Sequence, residues 1–132
     1  MAPINIRPHA VEWLKEVSQF CEIVVFTASH PWYADAVLDY LDPEHKYVHH
    51  RLYRDDCVSL EGVHVKDLRV IKNFTLADIV LIDNAAYSFA YQVDNGIPII
   101  SWVDDRNDLE LYNLIDYLKR ISLCEDVRVL NR

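Results

Sequence analysis

Apolar residues recur at helical spacing at Val11, Leu14, Val17 and Phe20, and Pro8 suits the first position of a helix there. Residues 22–27 then form a short apolar run rich in β-branched side chains, the pattern of a strand buried on both faces. A second helix comes next, with Ser29 placed to cap it, Pro31 in its first turn, and Val37, Leu38 and Leu41 as its apolar stripe. Asp42-Pro43 ends it. Residues 47–65 alternate irregularly, but 58–65 predict a small hairpin turning at Glu61-Gly62. A helical turn is expected over 66–70. Further buried strands are expected over 79–82 and 97–100, the latter introduced by the turn dipeptide Asn95-Gly96. Asp108 leads into a helix carrying Leu111, Leu114, Ile115, Leu118 and Ile121.

Buried strands alternating with amphipathic helices imply an α/β fold, a parallel sheet with helices on both faces. The 132 residues are enough for one domain and too few for two. In such sheets ligands bind beyond the carboxyl ends of the strands. That rule selects two places: Thr27-Ala28-Ser29 and Asp83-Asn84.

Composition narrows the function classes. A formal net charge of -8 argues against direct binding to nucleic acid or to an anionic membrane surface. No apolar run reaches the ~20 residues a membrane span needs, and residues 1–8 lack a signal-peptide core. The three cysteines, Cys21, Cys57 and Cys124, are far apart and odd in number, as reduced thiols of a nuclear or cytoplasmic protein would be. With only Gly62 and Gly96 there is no glycine-rich phosphate cradle.

The strand-end residues therefore carry any chemistry. Asp83 and Asn84 offer hard oxygen ligands that suit Mg²⁺, although Asp-Asn also opens ordinary turns. Thr27 can donate its hydroxyl to a phosphate oxygen, or be a plain β-branched strand residue. Lys66 can neutralise phosphate charge, or be a solvated surface lysine. His49, His50, Cys57 and His64 have no structural-zinc spacing.

Order and spacing add more than any one residue. Along the chain stand Arg7-Pro8, Phe26-Thr27-Ala28-Ser29, Tyr33-Ala34-Asp35, Arg51-Leu52-Tyr53-Arg54, Val65-Lys66-Asp67-Leu68, Ile82-Asp83-Asn84 and Trp102-Val103-Asp104-Asp105. This series resembles the small C-terminal-domain phosphatases, also called nuclear LIM interactor-interacting factor-like phosphatases, of the haloacid dehalogenase superfamily. The resemblance runs from about Ile6 to Leu130. It implies that Thr27 binds a phosphoryl group and that Lys66 stabilises charge on the nucleophile and phosphate. It further implies that Asp83 and Asn84 belong to a Mg²⁺ site and that Arg54 lies near the substrate. The implied substrate is phosphoserine or phosphothreonine in a protein, notably the tail of RNA polymerase II.

One part of the family pattern is absent. The D-x-D-x-T motif, whose first aspartate is the nucleophile and whose second is the general acid and base, does not occur in this sequence. Residues from Ile4 to Pro8 match the segment that comes after it in the family, and Asp83-Asn84 precedes Ala85-Ala86 where the family has Ser-Pro. The implied domain, 1–132, is thus N-terminally incomplete, and the absent strand is the central one, between those ending at Thr27 and Asp83. The expectation is a phosphatase-like domain that is inactive alone. The alternative is a non-catalytic phosphoprotein-binding or assembly module. The strand edges at 22–27 and 79–83 are expected either to pair directly or to be covered by another chain, as in a strand-exchanged dimer.

Overall fold

The computed structural model describes residues 5–131, so the family match at Ile4 begins just outside it. Four helices are formed: α1 (Ala10–Val17), α2 (Pro31–Leu41), α3 (Glu110–Ile121) and α4 (Val127–Asn131). Six short strands accompany them: β1 (Ile23–Phe26), β2 (Val48–Leu52), β3 (Val58–Leu60), β4 (Val63–Val65), β5 (Leu81–Asp83) and β6 (Gly96–Pro98).

The strands form three separate pairs. β1 and β2 are parallel, with Phe26 opposite Leu52, and are connected through α2. β5 and β6 are also parallel, with Asp83 opposite Pro98. β3 and β4 form the expected hairpin. Both of its turn residues have positive φ, 49° at Glu61 and 84° at Gly62, the twist that a two-residue hairpin loop requires.

β2 is a strand that the apolar pattern did not predict. Its sequence, Val-His-His-Arg-Leu, exposes two of five residues, as an edge strand can. One residue is bulged: Ile23 faces Val48 and Val24 faces His50, which leaves His49 between them. The His49 ring compensates, its Nδ1 accepting the Ile23 N–H at 3.0 Å.

Helix starts also differ from expectation. His9, at φ 69°, delays α1 until Ala10. Ser29 does not cap α2; His30 stands at that position, and the Ser29 backbone is engaged with Thr27 and Arg54 instead. Asp108 lies before α3 and accepts two hydrogen bonds from Arg7, at 2.7 and 3.1 Å. Arg7 also donates to the Ile100 carbonyl, tying the start of the described chain to the segment after β6.

One apolar core joins the two parallel pairs. Leu14, Val17, Ile23, Leu38, Val48, Ile97, Leu118, Ile121 and Val127 are buried together, drawn from all four helices and from both pairs. Leu68, Leu81 and Phe89 make a smaller cluster beneath the hairpin side. Gly96 is required there, since a Cβ would meet the Phe89 ring at 2.3 Å.

Among the described residues no ladder joins β1 to β5. Of the two expectations for those edges, direct pairing does not occur. Val25 of β1 and Ile82 of β5 both pack against the shared core.

Asp42 ends α2 and then organises the loop that enters β2. It is 1% exposed, and its carboxylate accepts the backbone N–H groups of Lys46, Tyr47 and Val48 at 2.9–3.0 Å. Burial pushes its pKa up, but those three donors outweigh burial and hold it below the usual carboxylate range. A carboxyl held low in the folded state stabilises the fold above its unfolded pKa of about 3.9, and that contribution is lost as pH falls through the folded value. Asp42→Asn is expected to cost about 1–3 kcal/mol at neutral pH. It should also make the loss of stability below about pH 4 less steep than in the parent. Urea melts across that range check both; parallel acid limbs would refute the assignment.

Candidate active site

β1 runs out at Phe26, and Thr27 is the first residue past its carboxyl end. The Thr27 N–H still donates to Leu52, at 2.9 Å, so the residue is held by the ladder although it lies beyond it. Its hydroxyl oxygen accepts the Ser29 N–H at 3.0 Å. That leaves the hydroxyl proton to donate outward, as a phosphate-binding threonine needs.

Arg54 closes over the same turn. Its Nε donates to the Ala28 carbonyl at 2.6 Å, its Nη1 lies 3.2 Å from His30 Nε2, and its backbone N–H donates to Ser29. Neighbouring Arg51 is occupied differently, donating to Asp35 at 2.8 Å and to Asp39 at 3.0 Å. Tyr53 also donates to Asp35, at 2.6 Å. That hydroxyl and Arg51 together hold the Asp35 carboxyl below the usual range.

At the other pair, Asp83 ends β5. Lys66 Nζ donates to Asp83 Oδ2 at 2.5 Å, with the two side chains 12% and 9% exposed. The other carboxylate oxygen accepts the Ala85 N–H at 2.9 Å. Asn84 points elsewhere, its amide donating to the Ser101 hydroxyl at 3.0 Å.

Cys57 stands beside the β1 end. Its thiol lies 3.9 Å from the Thr27 carbonyl and also senses the charges of Lys66, Arg54 and Asp83. Burial is the main reason its pKa is raised; Lys66 and Arg54 pull it down, Asp56 and Asp83 up. Thr27 and Arg54 thus form one group at the end of β1, and Lys66 with Asp83 a second group at the end of β5.

A divalent metal is not accommodated there by these residues alone. The strand ends supply one carboxylate, already engaged by a lysine and a backbone N–H. Among the described residues no group of three or more His, Cys, Asp or Glu is placed to hold a metal ion. His49 and His50 are engaged with the Ile23 N–H and with Glu22.

How Lys66 is held was not foreseen from the motifs. Asp67 and Gln92, each 7% exposed, form a buried bridge beside it. Gln92 Nε2 donates to Asp67 at 2.8 Å, and Gln92 Oε1 accepts the Leu68 N–H at 3.1 Å. Asp67 also takes Arg69 through its backbone N–H and guanidinium. Arg69 is the main reason that the Asp67 carboxyl stays far below the usual range; burial opposes this, and Gln92 assists. A glutamine in a loop carries no periodicity, so only the spacing after Asp83 could have singled it out.

The two parallel pairs end at Thr27 and Asp83, and Lys66, which follows the antiparallel hairpin, reaches Asp83, all on an α/β fold. The solved structure of Fcp1, described as an essential RNA polymerase II CTD phosphatase, superimposes with a TM-score of 0.77 at 20% identity, over 89% of this chain and 46% of that one. The chain belongs to the NLI interacting factor-like phosphatase family, whose family model matches residues 1–128. It is 47% identical to CTD small phosphatase-like protein 2 of Dictyostelium discoideum, over 92% of this chain and 21% of that protein. It is 45% identical to CTD small phosphatase-like protein 3 of Caenorhabditis elegans, over 98% and 45%. With CTD nuclear envelope phosphatase 1 of Xenopus tropicalis the figures are 40%, 98% and 53%. The chain thus spans between about a fifth and about half of these relatives.

Proposed function

We propose that this chain is the phosphate-holding part of a protein serine/threonine phosphatase domain, and that it does not turn over substrate alone. The observation that carries the proposal is that Thr27 with Arg54, and the Lys66–Asp83 pair, stand at the carboxyl ends of β1 and β5, two parallel-paired strands with no ladder between them among the described residues. A phosphoryl group needs donors and positive charge around its oxygens more than it needs elaborate covalent machinery. Thr27 donates a hydroxyl proton and Lys66 and Arg54 neutralise charge; the low exposure of Lys66 strengthens its share, whereas Arg54 acts from the exposed side.

A strand seated between β1 and β5, from the same polypeptide or a second one, would bring the D-x-D-x-T carboxylates against Lys66. Those carboxylates with Asp83 and Asn84 would make a donor set suited to Mg²⁺, which the present residues do not make unaided. The proposed substrate is a phosphoserine or phosphothreonine protein segment of the RNA polymerase II tail type. The names of the relatives favour a nuclear setting.

The test is hydrolysis of p-nitrophenyl phosphate and of a phosphoserine peptide with Mg²⁺. The chain alone is expected to give background rates. The chain extended by a strand bearing D-x-D-x-T is expected to turn over. An inert extended chain that still binds the phosphopeptide would favour the non-catalytic module; Mg²⁺-dependent turnover by the unextended chain would overturn the proposal.

A further inference from the structure

Lys66 sits on the segment between β4 and β5, whereas Asp83 belongs to β5. Their 2.5 Å contact therefore depends on how the first segment is docked on the residues after Asp83. Besides the packing of Leu68 on Leu81 and Phe89, three hydrogen bonds dock it. The Lys66 N–H donates to the Ser88 carbonyl at 2.8 Å. The Leu68 N–H donates to Gln92 Oε1, and Gln92 Nε2 donates to Asp67. Two of the three pass through one side chain, and Gln92 is buried with both ends of its amide used. The segment carrying Gln92 is itself fixed on β6, since its Phe89 ring packs against Gly96.

We propose that Gln92 is a positioning residue for Lys66: its amide, bridging Asp67 and the Leu68 N–H, fixes the loop from which Lys66 reaches the strand-end carboxylate. The importance of that lysine rests on the phosphatase reading; the positioning itself does not. An amide is the side chain that fits. It donates at one end and accepts at the other, which neither Glu nor Met can do at neutral pH. Arg69 shares the Asp67 carboxylate but holds it from its exposed side, with its guanidinium over the Tyr91 ring at 5.8 Å. It therefore does not replace the buried bridge.

The experiment uses the full chain and acylation of lysines by an N-hydroxysuccinimide ester, mapped by mass spectrometry. Lys15, Lys46 and Lys119 serve as internal references. Gln92→Met keeps the volume and removes both hydrogen bonds. It is expected to leave a cooperative thermal transition and to raise the labelling rate of Lys66 about tenfold relative to the references. Gln92→Glu places a carboxylate against Asp67 and is expected to expose Lys66 similarly. The exchanged pair, Asp67→Asn with Gln92→Glu, restores a donor facing an acceptor and should return Lys66 to near its original rate. A folded Q92M chain with unchanged Lys66 labelling, or one in which all lysines rise together, would overturn the proposal. So would an exchanged pair no better protected than Q92E, which decides the matter if Q92M fails to fold. Hydrolysis plays no part in this readout, so an inert strand-extended chain would count against the phosphatase reading and leave the positioning to the labelling.

Discussion

Asp83→Ala is expected to destabilise the fold by about 3–5 kcal/mol, the largest loss anticipated for a single substitution outside the apolar core. The reason is the setting of its partner. Lys66 is 12% exposed and donates to Asp83 at 2.5 Å, so removing the carboxylate leaves a buried ammonium without its counter-charge. The Ala85 N–H loses its acceptor as well. Against a typical total of about 5–15 kcal/mol this is a large fraction, so urea unfolding should be followed at low temperature. Replacing both members, Lys66→Met with Asp83→Leu, removes the charges together and should recover more than half of the loss, because a buried pair seldom outperforms well-packed apolar residues. A single-variant cost below about 1 kcal/mol would show that water reaches the pair far more freely than its exposure implies.

Extending the chain by a strand that seats between β1 and β5 is expected to raise the melting temperature by more than about 10 °C. Both edges there lack a ladder partner among the described residues. An inserted strand of four or five residues could form roughly eight backbone hydrogen bonds of about 0.5–1.5 kcal/mol each, partly offset by the entropy of ordering it. If the strand carries D-x-D-x-T, turnover should rise at least about 10³-fold above that of the unextended chain, as expected when a nucleophile and its general acid are restored. A strand whose first aspartate is replaced by asparagine separates the two effects: the thermal gain should persist and the turnover should not. If the stabilisation fails to appear, the gap between β1 and β5 is not a strand site.

The elements with strong periodicity were legible from sequence. The stripe of α3 and the Glu61-Gly62 turn stand where the pattern put them, and the apolar runs ending at Thr27 and Asp83 are strands, the second over 81–83 instead of 79–82. β2 was not legible, because an edge strand reading Val-His-His-Arg-Leu has no apolar run. Capping failed at Ser29 because its backbone is engaged with Thr27 and Arg54 instead. The candidate residues could be named from sequence, but their arrangement could not. Thr27, Arg54, Lys66 and Asp83 could be named from ordered motifs. That Lys66 meets Asp83, that Asn84 turns away to Ser101, and that Gln92 supports the lysine loop depend on contacts between segments distant in sequence.

The separation of the two parallel pairs has a consequence for cooperativity. Nothing in the main chain couples the β1–β2 ladder to the β5–β6 ladder among the described residues; only side chains of the shared core do so. Proteins open in contiguous cooperative units of differing free energy. Native-state amide exchange should therefore resolve two foldons, one protecting residues 23–52 and the other residues 81–98, with different opening free energies. A strand bridging both ladders would merge them into one.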